Sequence, residues 1–298
     1  MPTHAPVHPD LKDWVREVAV VQDPRVMATT PVVPLITRGL PTRPVAPEHS
    51  QVYICAGVIV KIHGEGTDAG RLRRRLACIG GPDMDRLWIQ PLRYSPIPAP
   101  GDRLATVWPR VTVLSTIDQP PWADTGRLLA RLHRMPVLDD PPRLGGHSRL
   151  ARAISFLRGR GDLGWLADLG DIWAADLRHE RHTTLAHGDF HLGQLGHTPL
   201  RRSWKLLDTD NFGVGDPAWD LSAPAGFHAA GLLEESAWQT FLAAYREAEG
   251  PAVPAEGDPW PVLATPARAA LLIAAAQAVR ADATEVSRTL VDACGRLA

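Results

Sequence analysis

Lysine is almost missing from this chain. Of 298 residues only Lys12, Lys61 and Lys205 carry an ammonium group, so arginine supplies nearly all of the 32 basic charges. Asp and Glu number 33 and bring the formal charge to −1, which leaves no global field directed at nucleic acid or an anionic membrane. Cysteine is as sparse. Cys55, Cys78 and Cys294 are odd in number and widely spaced, which excludes a disulfide framework and a CxxC metal pattern and points to a reducing, cytoplasmic compartment. The N-terminus, MPTHAPVHPDLKDW, lacks the basic-then-apolar architecture of a secretory leader. The longest nearly apolar run, 269–279, contains Gln277 and is too short to span a bilayer.

What is present reads as globular: 45% apolar and 22% charged residues, with length for one large domain or two smaller ones. The first third predicts strands at VVPLI (32–36), QVYIC (51–55), GVIVKIH (57–63), RLWIQPL (86–92) and RLATVW (103–108), because each is short, β-branched or aromatic, and bounded by turn residues. QVYIC and GVIVKIH read as a hairpin, RLRRRLACI (71–79) as a helix with a solvated arginine face, and SPIPAPGD as a turn. From about residue 123 the apolar spacing is three and four, in ADTGRLLARLHRM, SRLARAISFLRGR, DLGWLADLGDIWAADLRHE and the last sixty residues. We therefore divide the chain into a small mixed N-terminal lobe, 1–107, and a larger helical lobe, 108–298. A cleft is expected where they meet.

Chemistry concentrates in LAHGDFHLGQLG (185–196). Within the helical part, QLGH (194–197) and WKLLD (204–208) read as two short strands of a hairpin, which would bring Asp189, Gln194 and Asp208 together. Phosphoryl transfer needs a carboxylate to orient and deprotonate the attacking hydroxyl, oxygen ligands for Mg²⁺, and a cation on the nucleotide phosphates. Asp189, the pair Gln194 and Asp208, and Lys61 supply these in turn. Asp210 competes with Asp208 in DTDN, but Asp208 directly follows the apolar strand. Lys61 could instead be an edge-strand lysine with a solvated head.

HGDFHLGQ (187–194) followed by LLDTDNFGVGDPAWDL (206–221) resembles the signature of the aminoglycoside phosphotransferase-like small-molecule kinases, the aminoglycoside and choline kinase type, whose usual pattern is HGDxHxxN, a strand ending in Asp, then GDPxxDL. ADTGRLLARLHRMP is similar to the helix after that family's inter-lobe linker. The resemblance implies an α+β, protein-kinase-like two-lobed fold and an ATP- or GTP-dependent transfer of the γ-phosphate to a small-molecule hydroxyl, with Mg²⁺. It implies Asp189 as the catalytic aspartate, Gln194 and Asp208 as metal ligands, and Lys61 on the α- and β-phosphates. His187 is implied as a loop-holding histidine and Asp220 as a loop-bracing carboxylate. The nucleotide is expected near Val107, Trp108 and Arg110. Asp216-Pro217 reads independently as a helix N-cap followed by a first-turn proline.

Three departures stand out. Gln194 replaces Asn, one methylene longer. No glycine-rich loop precedes QVYIC, since TRGLPTRPVAPEHSQ has one glycine and three prolines. The helix after Lys61 offers only Asp68, with Glu65 before it, as an acidic partner. A nucleotide-binding kinase fold with little transfer activity is therefore a second reading. A third is a metal-dependent hydrolase using HGDFH as an HxDxH cluster. The acceptor is expected to be an aminoglycoside, a sugar, an amino sugar or a related metabolite, held by segments 150–180 and 227–250. Glu234, Glu235, Glu247 and Glu249 there are either a cation-attracting wall or a solvated face. Neither nucleic acid nor a membrane is an expected partner, and the oligomeric state is not legible.

Overall fold

The computed structural model describes residues 11–35, 50–114, 119–137, 139–177, 183–198 and 201–298, without the side chains of Arg201 and Arg202. The chain forms two compact units that divide between Thr112 and Val113, with residues 197–203 grouped with the first.

In the first unit a helix, α1 (Leu11–Gln22), precedes β1 (Val32–Pro34), β2 (Gln51–Cys55) and β3 (Val58–Ile62). Then follow α2 (Ala69–Ile79), α3 (Met84–Leu87), β4 (Ile97–Ala99), β5 (Arg103–Pro109) and β6 (Thr112–Val113). The first five strands make one antiparallel sheet in the order β1-β2-β3-β5-β4. The alternation of β3 is that of a two-faced strand. Val58, Val60 and Ile62 join Ala105 and Val107 of β5 in a buried cluster that Val15 and Ala19 of α1 complete. Lys61 lies on the other face, opposite Thr106, because successive side chains of a strand point to opposite sides. Asp68 caps α2, accepting the backbone N–H of Arg71 at 2.9 Å, and so works as a helix cap.

Two expectations from the sequence change here, and one element is new. The helix α1 is not among the expected elements, although Leu11, Val15, Val18 and Ala19 mark an apolar face. RLWIQPL is not a strand: its start closes α3, with the Trp88 N–H on the Met84 carbonyl. It is apolar because Leu87, Trp88 and Ile89 are buried, and a short apolar run does not separate the two conformations. SPIPAPGD is not only a turn, since Ile97–Ala99 forms the edge strand β4; Pro98 is tolerated because one side of an edge strand has no partner. Ile36, the end of VVPLI, and the glycine-poor segment 37–49 lie outside the described residues.

The second unit is mainly helical: α4 (Trp122–His133), α5 (Gly146–Arg158), α6 (Gly164–Asp176), α7 (Ala218–Ala229), α8 (Glu235–Glu247), α9 (Trp260–Arg280) and α10 (Thr284–Arg296). Between α6 and α7 lie β7 (Thr184–Ala186), β8 (Leu195–Thr198), β9 (Arg201–Leu206) and β10 (Gly213–Gly215). β7 and β10 pair antiparallel, Ala186 opposite Gly213, and β8 neighbours β9. The expected 194–197 and 204–208 hairpin thus forms, with its strands shifted by one to three residues. α9 is the central post, packed by α5, α6, α7 and α10, while α8 lies along α4. By length and composition α9 could cross a membrane, but 56% of its apolar window is buried inside the unit. α7 approaches it so closely that a methyl on Gly226 would press into the Ala267 carbonyl oxygen.

Candidate active site

The segment 187–194 is a loop between β7 and β8, and 207–211 is a second loop between β9 and β10. They are stitched together. The Leu207 N–H donates to the Gln194 carbonyl at 2.8 Å, and the Leu207 carbonyl lies 2.7 Å from His187 Nε2. His187 Nδ1 accepts the Asp189 N–H at 3.3 Å, so Nε2 carries the ring proton and donates to Leu207. The rung places Gln194 beside Leu207, the residue before Asp208, and the Asn211 side-chain amide donates to Asp189 Oδ2 at 3.4 Å. Asp208 itself takes a left-handed backbone, φ 57°, and its Oδ1 accepts the Asp210 N–H at 3.0 Å. Aspartate tolerates that conformation when its side chain closes such a turn.

Gly188 opens the loop with φ 79°, and a methyl there would overlap the Asn211 carbonyl oxygen. Gly188→Ala should therefore cost about 2 kcal/mol or more through backbone strain and overlap together. The midpoint of urea unfolding measures this.

The start of the loop is gripped from beneath. Asp220, in the first turn of α7, is fully buried. It accepts the His187 N–H at 2.6 Å on Oδ2 and the Gly188 N–H at 2.7 Å on Oδ1. His133 at the end of α4 adds a third contact, Nε2 to Oδ2 at 2.9 Å. Its Nδ1 lies 2.7 Å from the Tyr245 hydroxyl, which in turn accepts the Ala252 N–H at 3.0 Å. The arrangement that uses every group has Tyr245 donating to His133 and His133 donating to Asp220. Burial alone would push the Asp220 carboxyl up, yet the bonds from His133 and the His187 amide hold it below its usual value. Burial also pushes the Tyr245 hydroxyl upward, so it stays a neutral donor. Asp216 Oδ1 accepts the Ala218 N–H at 2.9 Å and caps α7, one residue ahead of Pro217.

Asp189 lines a hollow of about 290 Å³ with Arg149, Phe190, Trp219, Phe227 and Gln277 among its walls. An adjoining apolar hollow of about 260 Å³ shares Phe190, His191 and Phe227 and adds Trp122, Leu232 and Leu233. Arg149, from α5, forms an ion pair with Asp189 Oδ1. Burial lowers the Arg149 pKa, opposed by the carboxylates of Asp189 and Asp208. The walls come from the 189–191 loop, α5, α7 and α9; of the expected 227–250 segment, Phe227 lines this hollow and Leu232 and Leu233 line the adjoining one. Glu235, Glu247 and Glu249 are exposed and lie near His228, Arg127 and Arg134, while Glu234 precedes α8; none of the four lines this hollow. They form the solvated face.

In the first unit, His63 Nε2 lies 3.0 Å from the Thr106 hydroxyl, which accepts the Trp108 indole N–H at 2.9 Å. These groups share the face of Lys61. Val107 does not: its side chain is in the α1 cluster and its carbonyl accepts the Leu92 N–H at 2.8 Å. Arg110 donates its backbone N–H to Gly57 at 2.8 Å, at the β2–β3 turn. Sequence reasoning missed Arg149, Asn211, His133 and Tyr245. Only His133, four residues after Leu129 and so on the apolar face of its helix, left a readable signal.

Oxygen donors suit a hard divalent cation, and Asp208 with the Gln194 amide is such a pair. A zinc cluster fits poorly. Both ring nitrogens of His187 are engaged, His191 Nδ1 accepts the Gly193 N–H at 3.1 Å, and among the described residues no three His, Cys, Asp or Glu side chains group to hold a metal.

A helical unit with this loop pair beside its hollow, together with a small antiparallel sheet unit, is the α+β, protein-kinase-like fold of the small-molecule phosphotransferases. The chain belongs to the APH phosphotransferase enzyme family, whose model matches residues 110–260. No curated protein matches it. Among solved structures it is similar to a choline/ethanolamine kinase family protein from Mesorhizobium loti, at 14% identity, 97% of this chain, 95% of that one and a TM-score of 0.61. The choline kinase LicA from Streptococcus pneumoniae gives 13% identity, 95% and 99% coverage and a TM-score of 0.60. Spectinomycin phosphotransferase APH(9)-Ia, in complex with ADP and spectinomycin, gives 11% identity, 95% and 97% coverage and a TM-score of 0.56.

Proposed function

We propose that this phosphotransferase moves the γ-phosphate of ATP or GTP to a hydroxyl of a small molecule, with Asp189 as the group that orients and deprotonates that hydroxyl. One observation carries the reading: the Gln194 carbonyl and the Leu207 N–H join the two loops that bear Asp189 and Asp208, beside a hollow large enough for a small acceptor. The structure solved with ADP and spectinomycin supports nucleotide use. Asp208 and Gln194 are the residues that would hold Mg²⁺, which when bound neutralises charge on the phosphates. His187 and Asp220 hold the loop, and Lys61 is assigned to the nucleotide phosphates, beside the Thr106–Trp108 pair.

The chain's own part is positional. The hollow admits the acceptor and Asn211 steadies Asp189 Oδ2. Asp189 takes the hydroxyl proton as the new O–P bond forms and the bond from the γ-phosphorus to the β–γ bridging oxygen breaks, releasing the nucleoside diphosphate. A cytoplasmic location belongs to the same reading, in keeping with Cys55, Cys78 and Cys294 as free thiols.

Titration with ATP at fixed Mg²⁺ tests it. Asp208→Ala should weaken nucleotide binding by about 10- to 100-fold, and EDTA should abolish the difference from wild type. Equal affinity of the two proteins in Mg²⁺ would remove Asp208 from the metal site. Thermal stabilisation by Mg-ATP with no phosphorylated product across a broad acceptor panel would select the nucleotide-binding reading without transfer.

A further inference from the structure

The wall of the Asp189 hollow carries one opposed pair, Asp189 and Arg149. Asp189 is the only carboxylate among the described residues that line it. The neighbouring depression, about 80 Å³, shares Arg149, Ile273 and Gln277 with the hollow and adds Arg152 and Arg280. Arg280 is set in place, its guanidinium 4.4 Å from the centre of the Phe156 ring, with Arg160 at 5.2 Å from the same ring. Arg149 is paired with Asp189; Arg152 and Arg280, in the neighbouring depression, are exposed.

A cationic acceptor entering here would meet guanidinium groups, and a lone carboxylate already paired with one of them. An anion would meet planar donors in the geometry that suits carboxylate and phosphate oxygens. The apolar side walls, Phe190, Phe227 and Ile273, suit a carbon skeleton between the two ends. We propose that the acceptor carries, besides its hydroxyl, an anionic group of carboxylate or phosphate-ester type, received by Arg152 and Arg280 while Asp189 orients the hydroxyl. The proposal rests on the phosphotransferase reading above and specifies its acceptor. The transfer balances as before: the hydroxyl proton passes to Asp189, the γ-phosphate to the acceptor oxygen, and the nucleoside diphosphate leaves.

The test uses the full chain with Mg-ATP and Mg-GTP. Glycerate and glycerol 3-phosphate are the anionic probes, glycerol the neutral one, choline and glucosamine the cationic ones. Product mass and thermal protection are read at matched ionic strength. An anionic probe should give the highest kcat/KM, and the two anions separate a carboxylate site from a phosphate-ester site. Arg152→Glu with Arg280→Glu should raise KM for that probe at least tenfold with a smaller change in kcat. Arg152→Lys with Arg280→Lys should restore most of the affinity. Arg71→Glu with Arg73→Glu, the same charge change on the solvated face of α2, should leave KM within twofold. If no probe is turned over, protection of the Mg-nucleotide complex by an anion, lost in the Glu pair, supports the anionic acceptor equally. A cationic or neutral probe that outperforms both anions, an unchanged KM in the Glu pair, or no anion protection overturns the proposal and leaves the phosphotransferase reading standing. Failure of Mg-nucleotide to bind at all sinks that underlying reading instead.

Discussion

Replacing Asp189 by alanine should lower phosphate transfer by about two to four orders of magnitude, the range supplied by a positioned general base, while Mg-nucleotide affinity changes only a few-fold. The separation follows from the site. Asp189 lines the hollow, whereas neither Asp208 nor Gln194 is among its lining residues. Alanine also removes the ion-pair partner of Arg149, whose side chain is 15% exposed and keeps only its bond to the Gly188 carbonyl among those described, so some stability is lost as well. Asp189→Asn separates the two effects: its amide oxygen still accepts from Arg149, but it is no base. Single-turnover kinetics beside nucleotide titration make the measurement. Near-native transfer in either variant would remove Asp189 from the chemistry.

The second large effect is expected at Asp220. Alanine there leaves two loop amides and His133 without their shared acceptor in a fully buried position. Breaking a buried charged network of this kind costs about 3–5 kcal/mol. Urea unfolding gives the total, and hydrogen exchange at the His187 and Gly188 amides localises it; unchanged protection of those amides would contradict the network. The pH dependence has a definite sign. The folded carboxyl titrates below the ordinary 3.8, so its stabilisation is complete above that value and is lost as the pH falls through the folded one. Asp220→Asn should be less stable at neutral pH and show a shallower acid limb below it.

The sequence is most legible where chemistry is local. HGDFHLGQ and the strand ending at Asp208 lie within about twenty residues, and their loops are joined by backbone rungs that any hairpin at those positions would make. The strand pair β2–β3 and helices α4 and α5 are readable for the same reason: their apolar periods are short-range. What stays hidden depends on contacts between distant positions. Arg149 is one arginine on a helix rich in them, and only the packing of α5 against α9 turns it toward Asp189. Tyr245 looks like ordinary α8 core until its hydroxyl meets His133, 112 residues away. Val107 is suggested by its place near the linker, and the two-residue alternation of β5, which sends its side chain into the α1 cluster, leaves its backbone for such a contact. β4 is obscured by prolines that an edge position forgives.

The chain of contacts from Ala252 through Tyr245 and His133 to Asp220 means that HGDF owes its shape to helices on either side of it in sequence. Grafting those few residues onto a foreign scaffold would carry over the carboxylate and leave behind what aims it. Conversely, a change at Tyr245, well outside the motif, is a change to the motif's geometry.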